Sequence, residues 1–179
     1  MNEVSLLILM ILLVIAAWCD VGSYRIPNKL IVIGILSGLL LRLMSAGWSE
    51  LIPGLTGLLV GMLVLLPMYW LRAMGAGDVK LMGMTGVFLG PGHVLGAWLM
   101  TLLVGGILAL AFARHHHKLN VMWSGVKQTM SGLMYKCAAR QMPVLEMQKP
   151  SAGQLPYGLS IALGTAIYLI WQHKFWLSL

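Results

Sequence analysis

The stretch "MGAGDVKLMG", Met74 to Gly83, lies where an apolar sequence should continue without interruption across a bilayer. It instead contains two glycines around an alanine, followed by an aspartate and a lysine. The chain has five acidic residues, and Asp20 and Asp78 are its only two aspartates. An acidic residue inside a membrane segment costs about 2.5–3.5 kcal/mol on insertion scales, so its default interpretation is functional. Asp78 is therefore the first candidate for chemistry.

The composition around this stretch is that of an integral membrane protein. Of the 179 residues, 59% are hydrophobic and 9% are charged, whereas soluble domains have about 25% charged residues. We expect one membrane domain over residues 1–179 with no second, soluble domain. The start "MNEVS" has no basic residue, which favours a retained first helix over a signal peptide. The two cysteines, Cys19 and Cys137, have no zinc spacing, so we expect no metal and no cofactor.

Six apolar segments predict an all-α protein with six transmembrane helices. A helix needs roughly 17–25 apolar residues to cross the hydrocarbon. The predicted spans are residues 4–19, 30–46, 51–71, 79–89, 94–113 and 155–171. The fourth is short, and it becomes long enough only if its helix starts near Ala73.

The distribution of basic residues predicts the orientation. With the N-terminus outside, the inner side receives ten of the twelve Lys and Arg residues, and only Arg42 and Lys174 lie outside. This agrees with the positive-inside rule and explains the net charge of +7 without a nucleic-acid partner. An even number of crossings separates Asp20 from Asp78, so both lie on the inner side at similar depth.

Two further patterns concern packing and the membrane surface. "GILSG" (Gly34, Gly38) and "GLLVG" (Gly57, Gly61) have the small-xxx-small spacing that lets helices approach closely. In the cytoplasmic loop, at about residues 114–150, apolar residues recur every three to four positions. This spacing predicts an amphipathic helix that lies between the fifth and sixth spans and anchors at the headgroup surface.

The two aspartates suggest peptide hydrolysis. Two carboxyl groups brought close together cannot both stay ionised, so they share a proton. The charged one can polarise a water molecule while the protonated one donates to a peptide carbonyl, as in aspartyl proteases. Gly75 and Gly77 would then allow a bent backbone and the close approach of a substrate strand. The simpler interpretations are that Asp20 caps a helix end and that Asp78 is the N-cap of a helix beginning at Val79.

Three motifs resemble the type IV prepilin peptidase family. "GAGDVKL" (Gly75 to Leu81) is similar to its GxGD signature, and Asp20 with "IPN" (Ile26 to Asn28) resembles its first catalytic motif. "LPYGLSIALG" (Leu155 to Gly164) is similar to a segment of its last helix, although "PYGL" departs from the usual "PFGP". The resemblance implies that Asp20 and Asp78 are the catalytic pair. It also implies motif or substrate-approach roles for Gly75, Gly77, Lys80, Pro27, Asn28, Pro156 and Gly158.

The resemblance further implies the activity and the partners. The protein would be a membrane aspartyl endopeptidase that cleaves the leader of prepilins or pseudopilins at the cytoplasmic face of the bacterial inner membrane. Pilus-assembly machinery would be a further partner beside the lipid bilayer. The chain has neither the methyltransferase domain nor the paired CxxC motifs of the long family members. It therefore looks like the short form of tight-adherence (Flp-type) pili, which would cleave without N-methylation.

Two other function classes remain open from the residues alone. A proton-coupled transporter could use Asp20 and Asp78 as a relay, although the sequence shows no convincing internal repeat. A noncatalytic scaffold for pilus assembly would keep the fold and need neither carboxylate. Replacement of either aspartate separates these hypotheses, because only a protease would lose leader processing.

Overall fold

The computed structural model describes residues 2–71, 74–115 and 157–177, and the regular structure in these ranges is entirely helical. The prediction of an all-α membrane protein is therefore confirmed. In chain order the elements are α1 (Glu3–Ser23), α2 (Asn28–Ala46), a 3-10 turn (Gly47–Glu50), α3 (Leu51–Trp70), α4 (Ala76–Leu89), α5 (Pro91–His115) and α6 (Tyr157–Leu177).

Among the described residues, four helical segments are long and apolar enough to cross a membrane. They are α1, α2, the 3-10 turn continued by α3, and α5. The apolar part of α6, Tyr157–Gln172, is shorter. The six helices follow the order of the six predicted segments, while six crossings and an outside N-terminus stay predictions. The predicted amphipathic segment at 114–150 lies outside the described residues beyond His115.

The central helix of the bundle is α4, which carries Asp78. It contacts α1, α2, α3, α5 and α6, and every residue from Asp78 to Leu89 except Lys80 is buried. The helix starts at Ala76, so the condition under which the fourth predicted span would be long enough, a start near Ala73, is not met. Gly75 is the N-cap, with φ −78° and ψ 153°, and this extended backbone ends the helix there. With 14 residues, α4 is about 21 Å long, which is less than the about 30 Å of a bilayer core.

Glycines bring α3 into direct backbone contact with α4. A Cβ at Gly57 would overlap the carbonyl of Gly86, and a Cβ at Gly61 would lie 2.5 Å from the carbonyl oxygen of Met82. This is the close approach that the small-xxx-small spacing predicts. On the opposite side of α4, Gly34 lies against a methionine side chain rather than against backbone.

The end of α4 away from Asp78 is held by Arg42 of α2. Its Nε donates to the carbonyl of Val87 at 2.6 Å, and its Nη2 donates to the carbonyl of Phe88 at 2.9 Å. Its Nη1 pairs with Glu50 at 2.5 Å. The last carbonyls of a helix have no hydrogen-bond donor within the helix, so Arg42 supplies donors for the carbonyls at the C-terminus of α4.

Candidate active site

Asp20 lies in the last turn of α1, and its side chain is buried with 6% exposure. Its Oδ2 accepts a hydrogen bond from the backbone N–H of Gly158 at 2.7 Å. The backbone N–H of Leu159 also donates to the carboxyl group of Asp20. These N–H groups belong to the first turn of α6, where no intrahelical acceptor exists. The carboxylate of Asp20 in α1 therefore caps the N-terminus of α6. These hydrogen bonds compensate for the burial of the carboxylate.

Gly158 is in direct contact with the carboxyl group of Asp20. A Cβ built on Gly158 would lie 2.8 Å from Oδ2 and 3.0 Å from the Cβ of Asp20. Real side chains do not approach this closely, so any residue other than glycine would displace the carboxylate. Gly158 is required here for space rather than for backbone freedom.

Asp78 lies in the first turn of α4, and its side chain is 8% exposed. Its Oδ2 accepts a hydrogen bond from the backbone N–H of Gly75 at 3.2 Å, and its own N–H donates to the carbonyl of Gly75 at 3.2 Å. Asp78 is thus the third residue of the helix and supports the N-cap from inside the first turn. The alternative in which Asp78 is itself the N-cap of a helix beginning at Val79 is wrong.

The two carboxyl groups lie at the same end of the helix bundle. They lie close enough for an electrostatic interaction, although Asp20 ends α1 and Asp78 begins α4. Tyr157, the first residue of α6, also lies close enough to Asp78 for an electrostatic interaction. Sequence reasoning missed Tyr157, because a tyrosine beside an apolar segment is equally typical of the interfacial aromatic belt.

The turn between α1 and α2 brings the remaining motif residues to the same end. Tyr24 has a left-handed backbone with φ 52°, and its N–H donates to the carbonyl of Asp20 at 2.8 Å. Pro27 is the N-cap of α2, and a proline disfavours a helical conformation in the preceding Ile26. The chain therefore leaves α1, turns, and enters α2 with Asn28.

Gly75 and Gly77 have backbone conformations that other residues also adopt, and the bent backbone that we expected them to allow stays a prediction. Neither has a positive φ, since the positive-φ glycines of the described residues are Gly47 and Gly90. A Cβ would fit at both positions, at 3.4 Å from Asp78 Oδ2 for Gly75 and at 3.5 Å from Ile26 for Gly77. Gly75 is exposed, so the approach of a substrate strand at this surface stays a prediction. Pro156 lies outside the described residues.

An apolar groove of about 510 Å³ lies between α1 and α6. Its residues near the site are Ala17, Trp18, Val21, Gly22, Leu159 and Ala162. Gly22 lies two positions after Asp20, and Leu159 directly follows Gly158. The groove is therefore lined in part by residues that neighbour Asp20 and Gly158 in the sequence.

A profile of the type IV leader peptidase family matches residues 7–112. The chain belongs to this family. The match spans more than half of the chain and contains both Asp20 and Asp78. No solved structure matches the chain.

Two curated relatives of this leader peptidase family member are named "Prepilin leader peptidase/N-methyltransferase". Both come from Aeromonas salmonicida, one of them from strain A449. Each is 31% identical over 126 residues, which cover 65% of this chain and 43% of the relative. The chain thus aligns with less than half the length of the curated relatives it matches.

Proposed function

We propose that this protein is a membrane aspartic endopeptidase that removes the leader peptide of type IV prepilins or pseudopilins. The observation that carries the proposal is the pair of buried carboxyl groups, Asp20 and Asp78, which lie close enough for an electrostatic interaction at one end of the bundle. Two buried acidic side chains that lie near each other, rather than each beside a basic residue, are typical of catalytic sites. Membership of the type IV leader peptidase family supports the same activity.

The proposed reaction is a direct attack of water on the scissile peptide bond. The ionised carboxylate of the pair takes a proton from the water as its oxygen bonds to the carbonyl carbon. The protonated carboxyl group donates its proton to the carbonyl oxygen and so neutralises the charge that develops there. As the tetrahedral intermediate collapses, one of its hydroxyl groups returns a proton to the carboxylate that had protonated the carbonyl oxygen. The C–N bond breaks, and the leaving nitrogen receives the proton that the other carboxyl group took from water. The catalytic state of the two carboxyl groups is then restored.

We place the site at the cytoplasmic face of the inner membrane. The distribution of basic residues supports this placement. With six spans and an outside N-terminus, ten of the twelve Lys and Arg residues lie on the inner side. Asp20, Asp78 and the start of α6 share one end of the bundle. A leader peptide that remains in the cytosol would reach this end without crossing the bilayer.

The groove between α1 and α6 gives the substrate a route to the site. Its lining is apolar and includes Val21 and Leu159, which directly follow Asp20 and Gly158 in the sequence. An apolar membrane segment of the prepilin would pack in this groove and place the preceding leader at the carboxyl pair. We propose an Flp-type prepilin as the substrate and pilus-assembly machinery as a further partner, because the sequence resembles the short form of the family.

We also propose that this polypeptide cleaves without N-methylation. The 179 residues contain two cysteines and no CxxC pair, in contrast to the motif of the long family members. The mass of the processed pilin separates the two activities directly, because N-methylation adds one methyl group to the new N-terminus when S-adenosylmethionine is supplied.

The test is incubation of the purified protein in nanodiscs with candidate prepilins, followed by mass spectrometry of the products. We expect one cut that releases the leader and no mass increase with S-adenosylmethionine. The same protein reconstituted into sealed liposomes serves to measure proton flux, which a relay would carry and a protease would not. Intact leaders with every plausible prepilin, together with proton flux that depends on Asp20 and Asp78, would establish the transporter instead.

A further inference from the structure

Asn28 and Lys80 connect the two polypeptide segments that carry the aspartates. The Nζ of Lys80 donates a hydrogen bond to Oδ1 of Asn28 at 3.0 Å, across 52 positions of sequence. Asn28 is the first residue of α2, and Lys80 lies two residues after Asp78. Both side chains are exposed, so neither is part of the buried core.

A second contact links the same two segments. Ile26 is buried with 9% exposure, and a Cβ at Gly77 would lie 3.5 Å from the Cβ of Ile26. The turn between α1 and α2 therefore packs on α4 at Gly77 and at Lys80, which flank Asp78 on both sides. The same turn continues directly from Asp20, whose carbonyl accepts the N–H of Tyr24.

We propose that Asn28 and Lys80 are positioning residues that hold the turn against α4 and so set the separation of the two carboxyl groups. The inference rests on the proposed peptidase function. An exposed hydrogen bond of this kind contributes little to global stability. Catalysis is far more sensitive to position, since a displacement of 1 Å can cost about 10²-fold in rate. The pair thus affects geometry more than folding.

A double-mutant cycle on leader cleavage tests the pair. We expect Asn28→Ala and Lys80→Met each to lower kcat about tenfold through misplacement of the carboxyl pair, with KM and thermal unfolding unchanged. The double variant should be no slower than either single variant, because all three lack the same bond. Lys80→Arg keeps a donor and should recover most of the rate lost in Lys80→Met.

The matched control is Lys29→Met, which removes a neighbouring exposed lysine. It should leave kcat unchanged. An equal loss of rate in Lys29→Met would assign the effect to positive charge at this surface and would overturn the proposal. Losses that multiply in the double variant, or a change in KM alone, would also overturn it.

Disulfide trapping reports the position of the turn without reference to activity. In a background with Cys19→Ser and Cys137→Ser, the pair Ile26→Cys and Gly77→Cys has the Cβ separation that a disulfide needs. We expect this disulfide to form readily, and to form severalfold more slowly after Asn28→Ala. An unchanged trapping rate would contradict the proposal. In another outcome, the Asn28 and Lys80 variants cleave as the wild type does, while cleavage still depends on Asp20 and Asp78. That result would reject this inference and leave the peptidase function intact.

Discussion

The carboxylate of Asp20 accepts a hydrogen bond of 2.7 Å from the backbone N–H of Gly158, although 138 positions separate the two residues. This bond joins the last turn of α1 to the first turn of α6. It satisfies an N–H that the helix cannot satisfy itself, and it fixes one carboxyl group of the pair. The start of α6 is therefore part of the site rather than only part of its support.

Gly158→Ala is expected to lower kcat by about 10²-fold, because the new Cβ would push the carboxylate of Asp20 out of place. The overlap is with Oδ2 at 2.8 Å. Kinetics of leader cleavage, with thermal unfolding measured in parallel, provide the check. Gly106→Ala is the matched control, since nothing lies within 4 Å of a Cβ at Gly106. A Gly158→Ala enzyme as fast as the control would show that this contact does not position Asp20.

The glycines of α3 and α2 should respond differently to the same substitution. Gly57→Ala places a methyl group against the backbone of Gly86, whereas Gly34→Ala meets the flexible side chain of Met84. We expect Gly57→Ala to lower the free energy of unfolding by about 1–3 kcal/mol, and Gly34→Ala to lower it less. Unfolding in SDS after reconstitution in mixed micelles measures both. Equal losses would mean that α3 moves away from α4 more easily than the structure indicates.

Arg42→Met is expected to destabilise the protein without a specific effect on the site. The substitution leaves the carbonyls of Val87 and Phe88 without their donor, and each such group costs about 1–3 kcal/mol when it stays buried. Glu50→Gln removes the other partner of Arg42, and it should cost less because the carbonyl bonds remain. The measurement is again SDS unfolding. A larger loss in Glu50→Gln than in Arg42→Met would contradict this assignment.

Ala166→Trp should weaken substrate binding if the groove between α1 and α6 receives the substrate. Ala166 lines the groove, and the indole would fill part of its volume. We expect KM to rise severalfold with kcat unchanged, which is the pattern of lost uniform binding. Ala111→Trp is the control, because Ala111 is exposed on α5 outside the groove. An equal effect in both variants would remove the groove from the proposed route.

The positions of the helices and the shared end of the two aspartates could be predicted from the sequence. Apolar segments long enough to cross a bilayer predict helices, and the number of crossings between Asp20 and Asp78 determines their side. Neither step needs knowledge of how the helices pack. The start of α4 could not be predicted, because Ala73, Met74 and Gly75 carry no charge and the extended backbone at Gly75 leaves no hydropathy signal.

Contacts between distant helices could not be predicted in this way. The bond from Gly158 to Asp20 depends on the packing of α6 beside α1, and a run of apolar residues does not specify a neighbour. Arg42 was predicted as one of two outer basic residues, but its bonds to the end of α4 require the position of that end. The motif residues Asn28 and Lys80 were identified by resemblance, and only the structure shows that they contact each other.

The most direct test of the central claim is the rate of leader cleavage in Asp20→Asn, Asp78→Asn and the double variant, with Glu3→Gln as the control acid. In the proposed mechanism the two carboxyl groups act as one unit, so each single substitution should lower kcat by about 10²–10⁴-fold, and the double variant should be no slower. Glu3→Gln should cleave at the wild-type rate, and all four proteins should unfold at similar temperatures. Cleavage at the wild-type rate by either single aspartate variant would contradict the account.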